Sequence, residues 1–135
     1  MATANGGCAC GAVRYECSGD PAFMGNCHCR DCQRASGSAY SANIGVPENA
    51  VKVTGNVKYH QVTGGSGKPI SRAFCSNCGS PLFSKPSVMP GMMVINVASL
   101  DDPGIYKPAM DIFTSSAQPW DHMNPQLAKF PKMPQ

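Results

Sequence analysis

The sequence predicts a mainly β fold of stacked antiparallel sheets, and three observations predict it. Short stretches alternate apolar and polar residues with period two, the signature of half-buried strands. Gly and Pro number 14 and 12 in 135 residues and fall singly or in pairs between those stretches, where tight turns need them. Eight cysteines stand in closely spaced groups rather than scattered, which suits metal staples for a small core.

Taken in order, Ala12–Cys17 alternates and ends at Ser18-Gly19-Asp20-Pro21, a strand followed by a turn. Arg30–Ser36 is the one helical turn, stopped by Gly37. Ala39–Val46 reads as a strand closed by Pro47. Val51–Thr54, Gly55-Asn56 and Val57–Val62 together predict a hairpin with a two-residue turn. Ile70–Phe74, Pro81–Ser84, Met92–Ala98 and Asp111–Thr114 complete the strands. Gly64-Gly65-Ser66-Gly67-Lys68 is glycine-rich but fails as a phosphate loop. Val62 stands where the motif's first glycine belongs, and Pro69 replaces the magnesium-binding hydroxyl. A hairpin tip is the better reading.

The length fits one domain spanning 1–135, with neither a repeat nor a long linker. No basic patch followed by an apolar run opens the chain, and Met92–Leu100 is too short to cross a bilayer. A cytoplasmic location follows, and in that reducing compartment eight cysteines argue for metal thiolates rather than disulfides. The formal charge of +3 counts cysteines as neutral. Seven thiolates around two zinc ions contribute a net −3, bringing the loaded protein near zero. With the basic residues dispersed as well, neither nucleic acid nor a membrane surface is an expected partner.

Seven of the eight cysteines form two sets. Cys8-Ala9-Cys10 and Cys75-Ser76-Asn77-Cys78-Gly79 each supply two sulfurs. In an extended segment Cys8 and Cys10 share a side, and the Cys75/Cys78 pair is a knuckle relieved by Gly79. Together they make the closed tetrahedral shell of a structural zinc. Cys27-His28-Cys29-Arg30-Asp31-Cys32 supplies three thiolates, one short of a full shell, as a catalytic zinc with an open position requires. His28 is able to complete that shell only if the backbone is not extended, because alternation turns it to the opposite side. Cys17, in a strand outside both sets, reads as a small buried hydrophobe, the alternative being a fourth ligand of the second set.

These motifs carry a resemblance. Gly7–Tyr15, Cys27–Gly37 and Arg72–Phe83 resemble three successive motifs of the glutathione-dependent formaldehyde-activating enzymes, a family that includes centromere protein V. Ser99–Pro103 and Pro119-Trp120 resemble its C-terminal signature. The resemblance implies a β-tent fold with a structural zinc on Cys8, Cys10, Cys75 and Cys78. It implies a catalytic, labile zinc on Cys27, Cys29 and Cys32 that glutathione binding can displace. The implied reaction is addition of a thiol to formaldehyde, giving S-hydroxymethylglutathione, a carbon–sulfur lyase chemistry. Asp111 and Ala117 stand where the family pattern often carries a His and a basic residue, a departure that weakens the expectation of an anionic tripeptide such as glutathione as substrate.

Zinc held by three thiolates is a muted Lewis acid, so delivery of a substrate thiol to a small aldehyde is favoured over activation of water. Asp31 and Arg34 beside the cluster either orient a polar substrate or pair with one another along the helical turn. Trp120 either walls the pocket or joins the core. A rival from another class is a zinc-stabilised binding or scaffold module, supported by the small core and the lack of an obvious general base.

Overall fold

The computed structural model describes residues 4–134, which form two sheets packed across an apolar core. The smaller sheet is antiparallel and orders β1 (Gly6–Gly7), β2 (Arg14–Cys17) and β5 (Val51–Thr54). The alternation read in β2 is real: Arg14 and Glu16 are exposed, while Tyr15 and Cys17 are buried. The larger sheet has eight strands. It runs from β11 (Ala128–Lys129) through β10 (Met110–Ile112), β3 (Phe23–Cys27), β4 (Ser41–Pro47) and β9 (Met92–Asn96) to β8 (Pro81–Pro86), β7 (Pro69–Cys75) and β6 (Val57–Thr63). All pairings in it are antiparallel except those of β10, which runs parallel to both β3 and β11.

Val13, Tyr15 and Cys17 pack with Ile44, Val46, Leu82, Phe83 and Ile95, so each sheet turns one apolar face to the other. Full burial of such side chains stabilises by roughly 1.5–3 kcal/mol each. Tyr15 reaches across with its hydroxyl 2.6 Å from Ser99 Oγ, which satisfies the polar end of a buried aromatic. Cys17 is a core residue, as its strand position predicted.

The expected hairpin of Val51–Thr54 with Val57–Val62 does not form. β5 pairs with β2 and β6 pairs with β7, in different sheets. Gly55 adopts a φ of 101°, and a Cβ there would lie 2.1 Å from the Ala12 carbonyl oxygen. The turn is therefore pressed against the neighbouring chain and passes the backbone from one sheet to the other. The true hairpin is β6–β7, and the glycine-rich stretch 64–68 is its tip. α1 (Arg30–Ser36) ends at Gly37 in the left-handed conformation, with the Gly37 N–H donating to the Gln33 carbonyl.

β3 had no clear periodic pattern because Gly25, Asn26 and Cys27 are buried in succession, covered on both faces. Opposite Phe23 on β4 stands Gly45, where a Cβ would sit 2.0 Å from the Phe23 ring. The missing side chain lets that ring lie flat on the sheet. Among the described residues, no helix is long and apolar enough to cross a membrane.

Candidate metal centres

Cys8, Cys10, Cys75 and Cys78 bring their sulfurs within 4.8 Å of one another. Cys8 and Cys10 stand 3.6 Å apart, and Cys10 and Cys75 stand 3.8 Å apart. Metal–sulfur bonds of about 2.3 Å on a tetrahedron place sulfurs about 3.8 Å apart, so the spacing fits zinc. The local geometry differs from the extended segment expected for Cys8-Ala9-Cys10. It is a turn, in which the Gly11 N–H donates to the Cys8 carbonyl and the Cys8 N–H to the Val13 carbonyl. Both half-sites are thus knuckles.

Backbone donors converge on these sulfurs. The Val13 N–H reaches Cys8 Sγ at 3.2 Å, and the Asn77 and Cys78 N–H groups reach Cys75 Sγ at 3.3 and 3.4 Å. Ser80 links the two knuckles, accepting from the Ala9 N–H and lying 3.2 Å from Cys78 Sγ. Its hydroxyl, followed by the backbone donors of Ser80 and Cys10, pulls the Cys78 thiol down to about 5. The Val13 N–H lowers Cys8 in the same way. Donors of this kind favour the thiolates that bind metal.

The second set is buried. Cys27, Cys29 and Cys32 lie within 4.8 Å of one another with exposures of 6–7%. Cys27 ends β3 and Cys29 caps α1 in an extended conformation, its sulfur accepting from the Cys32 N–H at 3.3 Å. The extended backbone puts both sulfurs on one side and His28 on the other, as alternation predicted. Three thiols this close cannot ionise independently. Hydrogen bonds from Cys27 and Cys32 draw Cys29 far down, while those bonds and burial push Cys27 far up. A divalent cation is the group that would stabilise all three as thiolates. A cation approaches them, with Arg72 Nη2 3.9 Å from Cys32 Sγ.

His28, fully buried, is gripped from both sides. Its Nε2 lies 2.8 Å from Asp111 Oδ1, and its Nδ1 lies 2.7 Å from Asp121 Oδ2. Asp111 also accepts from Asn26 Nδ2 at 3.1 Å, and its second oxygen lies 2.9 Å from Lys129 Nζ. The His28 N–H donates to the Ile112 carbonyl, and its own carbonyl accepts from Gln33 Nε2. The residue between two candidate ligands is thereby fixed at ring and backbone alike. Burial pushes the Asp111 carboxyl up, and the donors His28, Lys129 and Asn26 more than offset that, leaving it below the usual carboxylate range.

On the sulfur side of this loop lies a cavity of about 350 Å³ lined by all three cysteines. Phe23, Ile70, Val94, Met110, Ile112 and Phe113 form much of its wall. Gly65, at the β6–β7 tip, packs against the Phe113 ring so closely that a Cβ would meet it at 2.8 Å. Arg72 is the one charged side chain lining the cavity among the described residues.

Other expectations met a different outcome. Trp120 neither walls the cavity nor joins the core; it is 62% exposed. Asp31 and Arg34 form no ion pair among the described residues, and neither lines the cavity. Arg72, Asp121, Lys129 and Asn26 were not singled out from the sequence. Arg72 was visible as a cation three residues before Cys75, whereas the others join the site only through tertiary contacts.

No sequence among curated proteins matches the chain. The crystal structure of a Rhodobacter sphaeroides protein shares 21% identity with it and superposes with a TM-score of 0.59, covering 93% of this chain and 98% of the other. That likeness is one of fold. The sequence model of the glutathione-dependent formaldehyde-activating enzyme matches residues 3–116, a span that holds both cysteine sets, and the chain belongs to that family.

Proposed function

We propose that the protein is a single-domain, zinc-dependent carbon–sulfur lyase-type enzyme that joins a thiol to a small aldehyde, or releases it, in the manner of S-(hydroxymethyl)glutathione synthase. Family membership supports an enzyme-like role connected with glutathione and formaldehyde. The observation that carries the finer reading is the contrast between the two cysteine sets. One supplies four sulfurs, and the other supplies three that also line a cavity. We assign a structural zinc to Cys8, Cys10, Cys75 and Cys78 and a labile, catalytic one to Cys27, Cys29 and Cys32. A cytoplasmic location and the absence of nucleic-acid and membrane partners belong to the same proposal.

When bound at the second set, zinc would supply a Lewis acid that lowers the pKa of a thiol brought to its open corner. The chain does the rest. Arg72 offsets the negative charge that three thiolates place beside the cavity. Asp111 and Asp121 hold His28, and with it the loop that spaces the three sulfurs. The mostly apolar walls limit the water that would compete with the thiol. In the reaction the thiol sulfur bonds to the aldehyde carbon as the C=O π bond opens. The thiol proton is lost and the new alkoxide oxygen takes one up. No carboxylate or imidazole lines the cavity among the described residues, so both protons exchange with solvent.

Gently purified protein should carry two zinc ions per chain, falling towards one after mild chelation. Turnover of a thiol with formaldehyde should track the labile ion and vanish in Cys29→Ser. One tightly held zinc at full loading, or turnover indifferent to Cys29, would refute the assignment. Metal loading without thiol chemistry would favour the scaffold reading.

A further inference from the structure

We infer that the thiol used at this site carries an apolar substituent, an alkyl or aryl chain, rather than the charged peptide of glutathione. The inference rests on the thiol reading above and narrows its substrate. A substrate whose sulfur meets the three cysteine sulfurs must direct its carbon substituent into the cavity those cysteines line. That cavity is walled mostly by aromatic, branched aliphatic and methionine side chains, with Asn43, Ser66 and Ser84 as its neutral polar members. Methionine and phenylalanine walls suit carbon chains of varied shape, because the thioether is polarisable and adaptable.

Charge leads to the same conclusion. Glutathione brings two carboxylates and one ammonium group. Arg72 is the one lining cation, and it already faces Cys32 Sγ. Three thiolates and a divalent ion leave one negative charge, which Arg72 balances, so no cation remains for a ligand carboxylate. Lys129 is engaged by Asp111 and Lys85 by Glu48, and neither lines the cavity. Asp111, at a position where the family pattern often carries a His, turns its carboxylate to His28 on the far side of the loop. A carboxylate drawn into this cavity would meet only the neutral side chains of Asn43, Ser66 and Ser84, with no free cation to offset its desolvation, which is unfavourable. The rim is apolar too: Val88 lines the cavity and is 42% exposed, one of the few large hydrophobic side chains left in water. With the cavity occupied by the substituent of the thiol, the aldehyde partner is a small one. The bond made remains a single S–C bond, with proton exchange and no redox change.

The test is binding to protein loaded with cobalt(II), whose absorption bands report the ligands at the open set. Ethanethiol, butanethiol, hexanethiol, phenylmethanethiol and glutathione are titrated in turn. Affinity should rise about three- to fourfold for each added methylene, the transfer gain for burying a CH₂ group. Hexanethiol should bind at least about tenfold more tightly than glutathione, two methylenes of gain being enough to give that ratio. Val88→Lys, at the exposed rim, should weaken hexanethiol and strengthen glutathione. A flat chain-length series, or glutathione as the tightest ligand, would overturn this inference and leave the thiol reading standing. Bands unmoved by every thiol would overturn the thiol reading itself, and this inference with it.

Discussion

Replacing Asp111 by Ala should destabilise the protein by about 3–4 kcal/mol, far more than a typical polar substitution. The carboxylate accepts from Asn26 Nδ2 and His28 Nε2 and pairs with Lys129. Its loss strands two buried donors, since His28 is 0% and Asn26 8% exposed. Each unsatisfied buried group costs about 1–3 kcal/mol. Lys129, a third exposed, can turn to water and adds little. The sum lies near the lower end of the 3–5 kcal/mol expected for breaking a buried ion pair. For a chain of this length it corresponds to a fall in Tm of roughly 10–15 °C. Urea unfolding with zinc in excess, followed by far-ultraviolet circular dichroism, measures it; the single tryptophan is too exposed to report on the core. If the three-cysteine set binds zinc as proposed, the variant should hold that ion about 10–100-fold more weakly, because residues that orient ligands typically have effects of that size. Asp111→Asn, which keeps one acceptor, should fall between the two. A loss under about 1 kcal/mol for Asp111→Ala would refute the argument that this carboxylate anchors the loop.

The division of labour between the cysteine sets predicts that Cys8→Ser or Cys78→Ser abolishes the cooperative thermal transition, whereas Cys29→Ser melts cooperatively and lacks one metal ion. Equal collapse of all three variants would contradict it. Gly55→Ala should cost about 2 kcal/mol or more in urea unfolding. The left-handed backbone alone costs a side chain roughly 1–2 kcal/mol, and the new Cβ meets the Ala12 carbonyl.

What could be read from the sequence was whatever local chemistry dictates. α1 was legible because a left-handed glycine stops a helix wherever it stands. The side on which His28 lies was legible because alternation follows from backbone geometry alone. Pairing was less accessible. The Gly55-Asn56 turn has the composition of a hairpin loop, yet it joins two sheets, because contact with Ala12 decides its geometry and no local pattern records that contact. β3 escaped notice because burial on both faces erases alternation. The cage around His28 draws Asp111, Asp121 and Lys129 from separate segments, and no spacing rule links them. Asp111 is the instructive case. It stood out as a departure from the family pattern, and only the structure shows that its carboxylate faces the imidazole and not the cavity.

The unequal spacing of the two cysteine sets also bears on the order in which a newly made chain acquires metal. Cys10 and Cys75 are 65 residues apart, while Cys27 and Cys32 are separated by only five. Closing the longer loop costs an unfolded chain about 2 kcal/mol more in entropy. It also cannot begin until the second knuckle has left the ribosome. The short cluster needs no folded partner to gather its sulfurs. If both sets bind zinc as proposed, a nascent chain would capture its first ion at the three-cysteine set, and the four-sulfur set would close last, as the two sheets meet.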